Sequence, residues 1–222
     1  MYAHLKDLYK GILAIINPPF CVTCKTFAVD ADKFLCSSCF LTIEPLVTLD
    51  VHVTEKYQVK VFCIGNYKHM LQQLILAKNH GNIAASRLLG QLMWEQTDIQ
   101  HQPFDYIVPI PLHWTRYAWR GYNQAQEMAE VISTLSKKPM INLLKRSKKT
   151  ITQFALSKED RSHNVKSAFA VAKYIDPRLF KDKHILLIDD LLTTGSTLQE
   201  ATRALLKLKP ARISALVAAR VP

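Results

Sequence analysis

Apolar and polar positions along the chain follow two patterns, one typical of buried strands and one typical of amphipathic helices. Apolar runs without helical spacing predict strands of a parallel sheet that is covered on both faces. These strands are predicted over 58–68, 104–110, 185–188 and 213–218, with two shorter strands over 140–144 and 169–171. Proline and glycine at or near the ends of several runs support these boundaries.

Apolar residues also recur every three or four positions, which predicts helices between the strands. The residues that carry this spacing are Leu5, Leu8, Tyr9, Ile12 and Ile16; Leu71, Leu74 and Ile75; Ala84, Leu88, Leu89 and Leu92; Ala125, Met128, Ala129, Ile132 and Leu135; and Leu198, Ala201, Leu205 and Leu208. The second and third groups are separated by a break near Gly81. Strands that alternate with helices favour the α/β fold class, with helices flanking a parallel sheet.

Length and composition narrow the class of protein. The chain has 222 residues, of which 49% are hydrophobic, so it can form one domain of ordinary size plus a small module. No window holds the roughly 18 apolar residues that a membrane span needs. The apolar run 11–16 is short and no small-residue cleavage site follows, which argues against a signal peptide. We therefore expect a cytoplasmic protein.

The chain is strongly basic. It carries 29 lysine and arginine residues against 18 aspartate and glutamate residues, a formal net charge of +11. Such an excess favours polyanionic partners, among them nucleic acid, an anionic membrane surface or a highly charged nucleotide-like substrate. Charge alone does not choose among these three.

Four of the five cysteines form two Cys-x-x-Cys pairs. Cys21 and Cys24 are separated by eleven residues from Cys36 and Cys39. A single pair would leave a redox role open, but two pairs at this spacing favour one tetrahedral, structural zinc ion with four thiolate ligands. The segment is too short for a core of its own, and a metal would offset that shortage. We predict a zinc module over residues 1–56 and place Cys63 in the core of the second domain, 57–222.

Residues 184–200 carry the most informative motif. The buried strand leads to Asp189 and Asp190, where it is expected to leave the sheet, and then to a turn of hydroxyl residues and one glycine. This turn consists of Thr193, Thr194, Gly195, Ser196 and Thr197. Thr197 and Glu200 are spaced as a capping box, which predicts that a helix begins there.

This motif is suited to a sugar phosphate. Free N–H groups and the positive dipole end of a helix attract a phosphate, and Gly195 allows the backbone to approach it closely. Two carboxylates repel phosphate, but they accept hydrogen bonds from ribose hydroxyls or bind a divalent cation. The alternative is an ordinary strand–turn–helix with a solvated acidic pair. We favour a 5-phosphoribosyl site because strand, turn and cap all agree.

The stretch from Ile185 to Thr197 resembles the phosphoribosyl-pyrophosphate (PRPP) motif of type I phosphoribosyltransferases. It differs from a P-loop, since no lysine follows Gly195. The resemblance implies a type I phosphoribosyltransferase-like sheet preceded by the small zinc-ribbon module. It also implies that PRPP binds together with Mg²⁺.

A second motif follows the strand 104–110. The run from Val108 through Pro111, Leu112, His113, Arg116 and Arg120 to Ala125 is similar to the signature of the competence protein F (ComF) family. In phosphoribosyltransferases the corresponding loop binds pyrophosphate, a role that the resemblance gives to Pro111, Leu112, His113 and Arg116. Two arginines four residues apart could bind one anion, although such pairs are often plain surface.

A third motif is a basic loop. Residues 145–149 contain four positive charges in five residues, Lys145, Arg146, Lys148 and Lys149, and Arg161 follows. An uninterrupted polar loop of this length is typical of a lid or binding loop, which could close over pyrophosphate or follow a nucleic-acid backbone. A solvated charge run is the alternative. The pattern Arg146, Thr152, Gln153, Leu156, Arg161 and Asn164 again resembles the ComF family.

The ComF resemblance implies a role in natural transformation, where single-stranded DNA is handled on the cytoplasmic side after uptake. We therefore expect PRPP and single-stranded DNA as ligands, with Arg120, Lys145, Arg146, Lys148, Lys149 and Arg161 serving the DNA. Expected partners are the DNA-uptake translocase or helicase at the inner face of the membrane. The alternatives are a phosphoribosyltransferase for a small nitrogenous acceptor and a non-catalytic PRPP sensor. No acid–base residue stands out, so no catalytic residue is assigned.

Overall fold

The computed structural model describes residues 20, 21, 23–26, 36–43, 48–79, 82–112, 117, 118, 120–146 and 168–222. Its strands are β1 (Leu49–Thr54), β2 (Tyr57–Asn66), β3 (Tyr106–Pro109), β4 (Leu144–Arg146), β5 (Phe169–Val171), β6 (His184–Leu192) and β7 (Arg212–Arg220). Five of them form one sheet in the order β1-β2-β7-β6-β3, and β4 pairs with β5 in a separate hairpin.

The main sheet is mostly parallel. β2, β7, β6 and β3 run in the same direction, and β1 pairs with β2 in the antiparallel direction. The loops that follow β2, β3 and β6 therefore open at one edge, which we call the carboxyl edge, and the opposite side is the amino edge. Ligands of open α/β sheets bind at the carboxyl edge. The α/β fold with a parallel sheet is thus confirmed.

Helices cover the sheet. They are α1 (Ser37–Phe40), α2 (His69–Asn79), α3 (Ile83–Glu95), α4 (Gln124–Ser136) and α5 (Ser196–Leu205), with single 3₁₀ turns at Asp98–His101, Pro177–Phe180 and Leu206–Leu208. The helices predicted from residue 71 onwards are confirmed. The helix predicted over Leu5 to Ile16 lies outside the described residues.

The core has two halves, one on each face of the sheet. Along β6, Ile185 and Leu187 pack with α5, whereas Leu186 and Ile188 pack with α2, α3 and α4. This alternation explains why the strand is apolar at every position. Cys63 is buried, and its S–H donates to the Gly65 carbonyl at 3.2 Å. Burial raises the pKa of this thiol to about 11, as expected for a core cysteine.

Two predicted elements differ from the structure. Of the strand predicted over 140–144, Met140 makes only an isolated bridge to Ile107, and the strand β4 begins at Leu144. Lys145 and Arg146, assigned to a loop by their polarity, lie in β4 because they pair with Ala170 and Phe169 of β5. This partner is more than twenty residues away in sequence, so local polarity could not reveal it.

β1 connects the cysteine segment to the sheet. It precedes the domain boundary predicted at residue 56, yet it is hydrogen-bonded to β2 along its length. The division into 1–56 and 57–222 stays a prediction. None of the helices in the described part of the chain has both the length and the apolar character that a membrane crossing requires.

Candidate functional site

The four predicted cysteine ligands lie together. The sulfur atoms of Cys21, Cys24, Cys36 and Cys39 are all within 4.8 Å of one another. Tetrahedral zinc with Zn–S bonds of about 2.3 Å requires sulfur atoms about 3.8 Å apart. All four are free thiols, and the Cys24 and Cys36 sulfurs are 3.5 Å apart. The cluster can therefore hold a metal ion of this geometry.

Each Cys-x-x-Cys pair is shaped by its own backbone. In the first pair, the Cys21 N–H donates to the Thr26 carbonyl at 2.8 Å, and Lys25 turns the chain with a positive φ of 63°. In the second pair, the Cys36 sulfur caps α1 and accepts the Cys39 N–H at 3.5 Å. Both turns bring the two cysteines of a pair to the same side.

The thiols affect one another electrostatically. Burial would raise the pKa of Cys21, but N–H groups of Cys24, Cys36 and Thr23 favour its thiolate and lower the pKa to about 6. Burial and the neighbouring thiols raise the pKa of Cys39 to about 12. Four thiolates this close need a cation to ionise together, which is the condition that a divalent metal meets.

The cysteine module packs on the domain. Cys21 is fully buried, and Cys39 and Phe40 pack against the core half that contains Met70 and Leu71 of α2. α2 follows β2 and therefore begins at the carboxyl edge. The cysteine cluster packs near the start of α2, so it lies beside this edge. A cavity of about 80 Å³ between them is lined by Thr42, Ile43, Asn66, Lys68, His69, Met70 and Leu71. It is far smaller than the 300–1,000 Å³ usual for small-molecule sites.

The end of β6 differs from the prediction in one respect. The strand does not leave the sheet at Asp189 but continues beside β7 to Leu192. Its pairing with β3 ends earlier, where Pro109 lies opposite Ile188. Asp189 and Asp190 therefore lie where β6 has lost one neighbour and kept the other. Both side chains are half-buried, and the Asp190 N–H donates to Asp189 Oδ1 at 2.8 Å.

The turn after β6 also differs from the prediction. The capping box is wrong, because α5 begins at Ser196 and its N-cap residue is Gly195, with no side-chain cap. Gly195 has a φ of +76°, which is the left-handed conformation that favours glycine. Thr193 and Thr194 are exposed, Ser196 and Thr197 are half-buried, and the Thr194 and Ser196 hydroxyls are 2.8 Å apart. The Ser196 N–H donates to Thr194 Oγ1 at 3.4 Å, and Gly195 itself offers no side chain to the other N–H groups of the first turn of α5.

β1 supports this turn, a role that the sequence reasoning missed. A Cβ atom on Gly195 would lie 3.1 Å from the Val51 side chain. Gln199 Nε2 donates to the His52 carbonyl at 2.8 Å, and Arg203 Nη2 donates to the Val53 carbonyl at 2.8 Å. The alternation of Leu49, Val51 and Val53 could have predicted the strand, but not its contact with a turn 140 residues later.

The loop after β3 opens at the same edge. The Ile110 N–H donates to the Ile188 carbonyl at 2.9 Å, and Pro111 and Leu112 then leave the sheet half-buried. Asn123 holds the other end of the loop, since its amide donates to the Ile110 carbonyl at 3.2 Å and its oxygen caps α4 at 3.2 Å. Asparagine directly before a helical pattern is an N-cap signal that could have predicted this role of Asn123 from the sequence. His113 and Arg116 lie outside the described residues.

The predicted DNA-binding residues are only partly described. Lys145 is exposed, Arg146 and Arg120 are half-buried, and Lys148, Lys149 and Arg161 lie outside the described residues. The aromatic residues beside Arg120 differ in their exposure. Tyr122 is buried and serves packing, and burial raises its pKa despite the Ser86 hydroxyl and Arg120. Tyr117 is half exposed, and Trp119 is not described.

Comparison with known proteins gives consistent matches. A family model for the phosphoribosyl transferase domain matches residues 85–222. Competence protein F of Haemophilus influenzae is 36% identical over 157 residues, which cover 67% of this chain and 67% of that protein.

Two further relatives match over a shorter region. Competence protein ComFC of Bacillus subtilis is 39% identical over 117 residues, which cover 51% of this chain and 44% of that protein. The DNA utilization protein YhgH of Escherichia coli K12 is 35% identical over 105 residues, covering 46% of this chain and 44% of that protein. The alignments therefore span less than half the length of these two relatives.

Proposed function

Because the chain belongs to the competence protein F family and contains a phosphoribosyl transferase domain, we propose that it acts in DNA uptake. In this role it handles incoming single-stranded DNA and binds PRPP or a related 5-phosphoribosyl ligand with Mg²⁺. Its expected place is the cytoplasmic side of the inner membrane, beside the translocase or helicase that delivers the DNA. The cysteine cluster holds structural zinc, since its four sulfurs leave no ligand position open.

The carboxyl edge supports the phosphoribosyl assignment. The main supporting observation is that β6 extends past β3 and carries Asp189 and Asp190 two residues before a turn with a left-handed glycine. In the proposed complex, ribose hydroxyls donate to the two carboxylates. The 5-phosphate accepts hydrogen bonds from the turn Thr193, Thr194, Gly195, Ser196 and Thr197 and from the first N–H groups of α5. When bound, Mg²⁺ supplies positive charge to the pyrophosphate.

The loop after β3 is assigned to pyrophosphate. Pro111 and Leu112 leave the sheet at the same edge as Asp189, because β3 and β6 are parallel and adjacent. Asn123 ties the loop's start to α4. His113 and Arg116 are also assigned to the pyrophosphate, and this assignment rests on the sequence alone.

DNA binding is assigned to Arg120, Lys145, Arg146, Lys148, Lys149 and Arg161. The support comes from the net charge of +11 and from the exposed position of Lys145 on β4. Cationic side chains bind the phosphate backbone without regard to sequence, as the handling of arbitrary incoming DNA requires.

Ligand binding by the wild-type chain and by Asp190→Asn tests the phosphoribosyl assignment. Hydrogen bonds to a charged group contribute about 1.5–3 kcal/mol, so the substitution should weaken binding by about tenfold or more. Titration calorimetry with PRPP and Mg²⁺, and with ribose 5-phosphate, measures this. Asp98→Asn, in the exposed turn before β3, is the matched control. Retained affinity in Asp190→Asn, or no binding by the wild type, would refute the assignment.

Salt dependence tests the DNA assignment. Affinity for single-stranded oligonucleotides should fall with salt, and removing each cation that neutralises a phosphate should flatten the logarithmic slope by about 0.7–1 unit. Lys145→Ala, Lys148→Ala and Lys149→Ala should each reduce the slope. An unchanged slope in the triple variant would remove this segment from the DNA interface.

The alternative is a phosphoribosyltransferase for a small nitrogenous acceptor, which the match to the transferase domain favours. Attack at the anomeric carbon would need mainly positioning and neutralisation of the departing pyrophosphate. Pyrophosphate release from PRPP with a panel of bases and amines decides: rapid release with one acceptor favours the enzyme, and binding without release favours a sensor.

A further inference from the structure

The β4–β5 hairpin has one face in the core and one face in solvent. Leu144 and Phe169 point inward and are buried. Lys145 and Ala170 lie opposite each other across the hairpin, and both are exposed. The outward face therefore carries a positive charge.

Tyr174, three residues after β5, lies against this face. The residue is 68% exposed, although a tyrosine side chain is large and mostly apolar. The hydroxyl donates to the Asn142 carbonyl at 3.1 Å, which fixes the direction of the ring. Lys145 Nζ lies 5.3 Å from the ring centroid, within the range of a cation–π contact. The ring is thus held in place without being covered.

A second cation–aromatic pair on the same hairpin provides an internal comparison. The Arg146 guanidinium lies 5.2 Å from the Phe169 ring, but Phe169 is only 6% exposed. The Arg146–Phe169 pair therefore belongs to the packing of the hairpin on α5. The Lys145–Tyr174 pair presents an aromatic surface to solvent.

The surroundings of Tyr174 are positively charged. Lys173 is exposed beside it, and neither Lys173 nor Lys145 pairs with a carboxylate within the part of the chain that the structure describes. An exposed aromatic ring near exposed lysines matches the chemistry of a single-stranded nucleic acid, which offers unstacked bases and a phosphate backbone together.

We propose that Tyr174 is a stacking platform for bases of single-stranded DNA, with Lys145 and Lys173 binding the flanking phosphates. This inference rests on the proposed DNA-handling function and assigns it a base-contacting residue. It predicts that the chain binds single strands more tightly than duplexes. The bases of a duplex are stacked on one another and cannot reach the ring, whereas the phosphates of both forms can reach the lysines.

Binding of the full chain to an oligothymidine and to a duplex of equal length tests the inference. Tyr174→Ala should weaken single-strand binding by about fivefold or more and leave duplex binding within about twofold. Tyr174→Trp should retain the preference. Lys145→Ala should weaken both forms and flatten both salt slopes, and Lys56→Ala, in the exposed turn between β1 and β2, should change neither. In the wild type, 5-bromodeoxyuridine oligonucleotides should photocrosslink to the peptide that contains Tyr174.

The outcomes separate the two proposals. If the wild-type chain binds no single-stranded DNA, the proposed DNA function fails. If the wild type binds but folded Tyr174→Ala binds equally well, or loses both DNA forms equally, only the stacking inference fails. Crosslinking that avoids the Tyr174 peptide in wild-type protein would overturn the inference without any variant.

Discussion

Polar groups at the two edges of the sheet differ in their hydrogen-bond partners and in their exposure. At the amino edge, protein groups satisfy one another: His184 Nε2 lies 3.0 Å from the Ser214 hydroxyl, and the Ile213 N–H donates to the Tyr57 hydroxyl at 3.0 Å. At the carboxyl edge, hydroxyls lie exposed in a turn, and α5 begins without a side-chain cap. The amino edge therefore contributes stability, whereas the carboxyl edge keeps polar groups exposed, as the proposed binding site requires.

Loss of the proposed zinc should have the largest effect, because the cysteine cluster packs beside the carboxyl edge. We expect one zinc ion per chain in the wild type and none in Cys36→Ser, because structural zinc contributes about 10–16 kcal/mol in small modules. Without it, residues 36–43 should unfold and expose Met70 and Leu71. Metal analysis and hydrogen exchange measure both effects.

Cys63→Ala is the matched control for the metal. This cysteine is buried but is not part of the cluster, so its replacement should lower stability and keep the zinc. Amides at the amino edge should keep their protection in Cys36→Ser. A wild-type chain that is stable and metal-free would contradict the zinc assignment.

Gly195→Ala should have the second-largest effect, and it should destabilise the carboxyl edge. A left-handed conformation costs a residue with a side chain about 1–2 kcal/mol, and the new methyl group would also press on Val51 at 3.1 Å. We expect a lower free energy of unfolding and weaker binding of ribose 5-phosphate, measured by denaturation and calorimetry.

Gly121→Ala is the matched control for the steric effect of Val51. Gly121 has a φ of +77°, but an added Cβ would meet nothing within 4 Å. It should therefore lose only the conformational part of the stability. Val51→Ala should restore part of the loss in Gly195→Ala and none in Gly121→Ala. Equal losses in the two glycine variants would exclude a role for the Val51 side chain.

His184 should make the amino edge sensitive to acid. Burial, and then Arg212, lower the pKa of its imidazole below 6.5, although the Pro103 carbonyl and Asp105 oppose this. The unfolded chain therefore takes up the proton first as the pH falls. Below about pH 6.5 the free energy of unfolding should decrease, by at most about 1.4 kcal/mol per pH unit for one proton.

Urea denaturation of wild type and His184→Asn at pH 8 and pH 5.5 measures this. The variant should be less stable at pH 8 but should lose less stability on acidification. An equal loss in both proteins would show that His184 does not cause the acid sensitivity.

Gln199→Ala should give the smallest effect. It removes one hydrogen bond from α5 to the His52 carbonyl of β1, a contribution of about 0.5–1.5 kcal/mol. If β1 positions the phosphate turn, ribose 5-phosphate should bind a few-fold more weakly. Gln91→Ala, which removes an amide–carboxylate hydrogen bond within α3, should leave binding unchanged. Equal ligand affinity in both variants would show that β1 supports the fold alone.

The sequence predicted most elements correctly because their signals are local. Four apolar runs became strands of the parallel sheet, and the helical spacings became α2 to α5. The capping box failed because the Thr197 and Glu200 spacing also fits a helix that starts one residue earlier, with Gly195 at its N-cap. The bounds predicted for the 140–144 strand were wrong because strand pairing depends on a partner that is distant in the chain.

By itself, the sequence determined which chemical groups this protein has and in what order: two cysteine pairs, two aspartates and a hydroxyl-rich turn after a buried strand. Only the tertiary structure decided that the four sulfurs converge, that β6 extends past β3, and that Val51 closes on Gly195. The physical reason is the distance along the chain over which each signal acts. Periodicity and turn chemistry act over a few residues, whereas convergence and support depend on segments that only the packed core brings together.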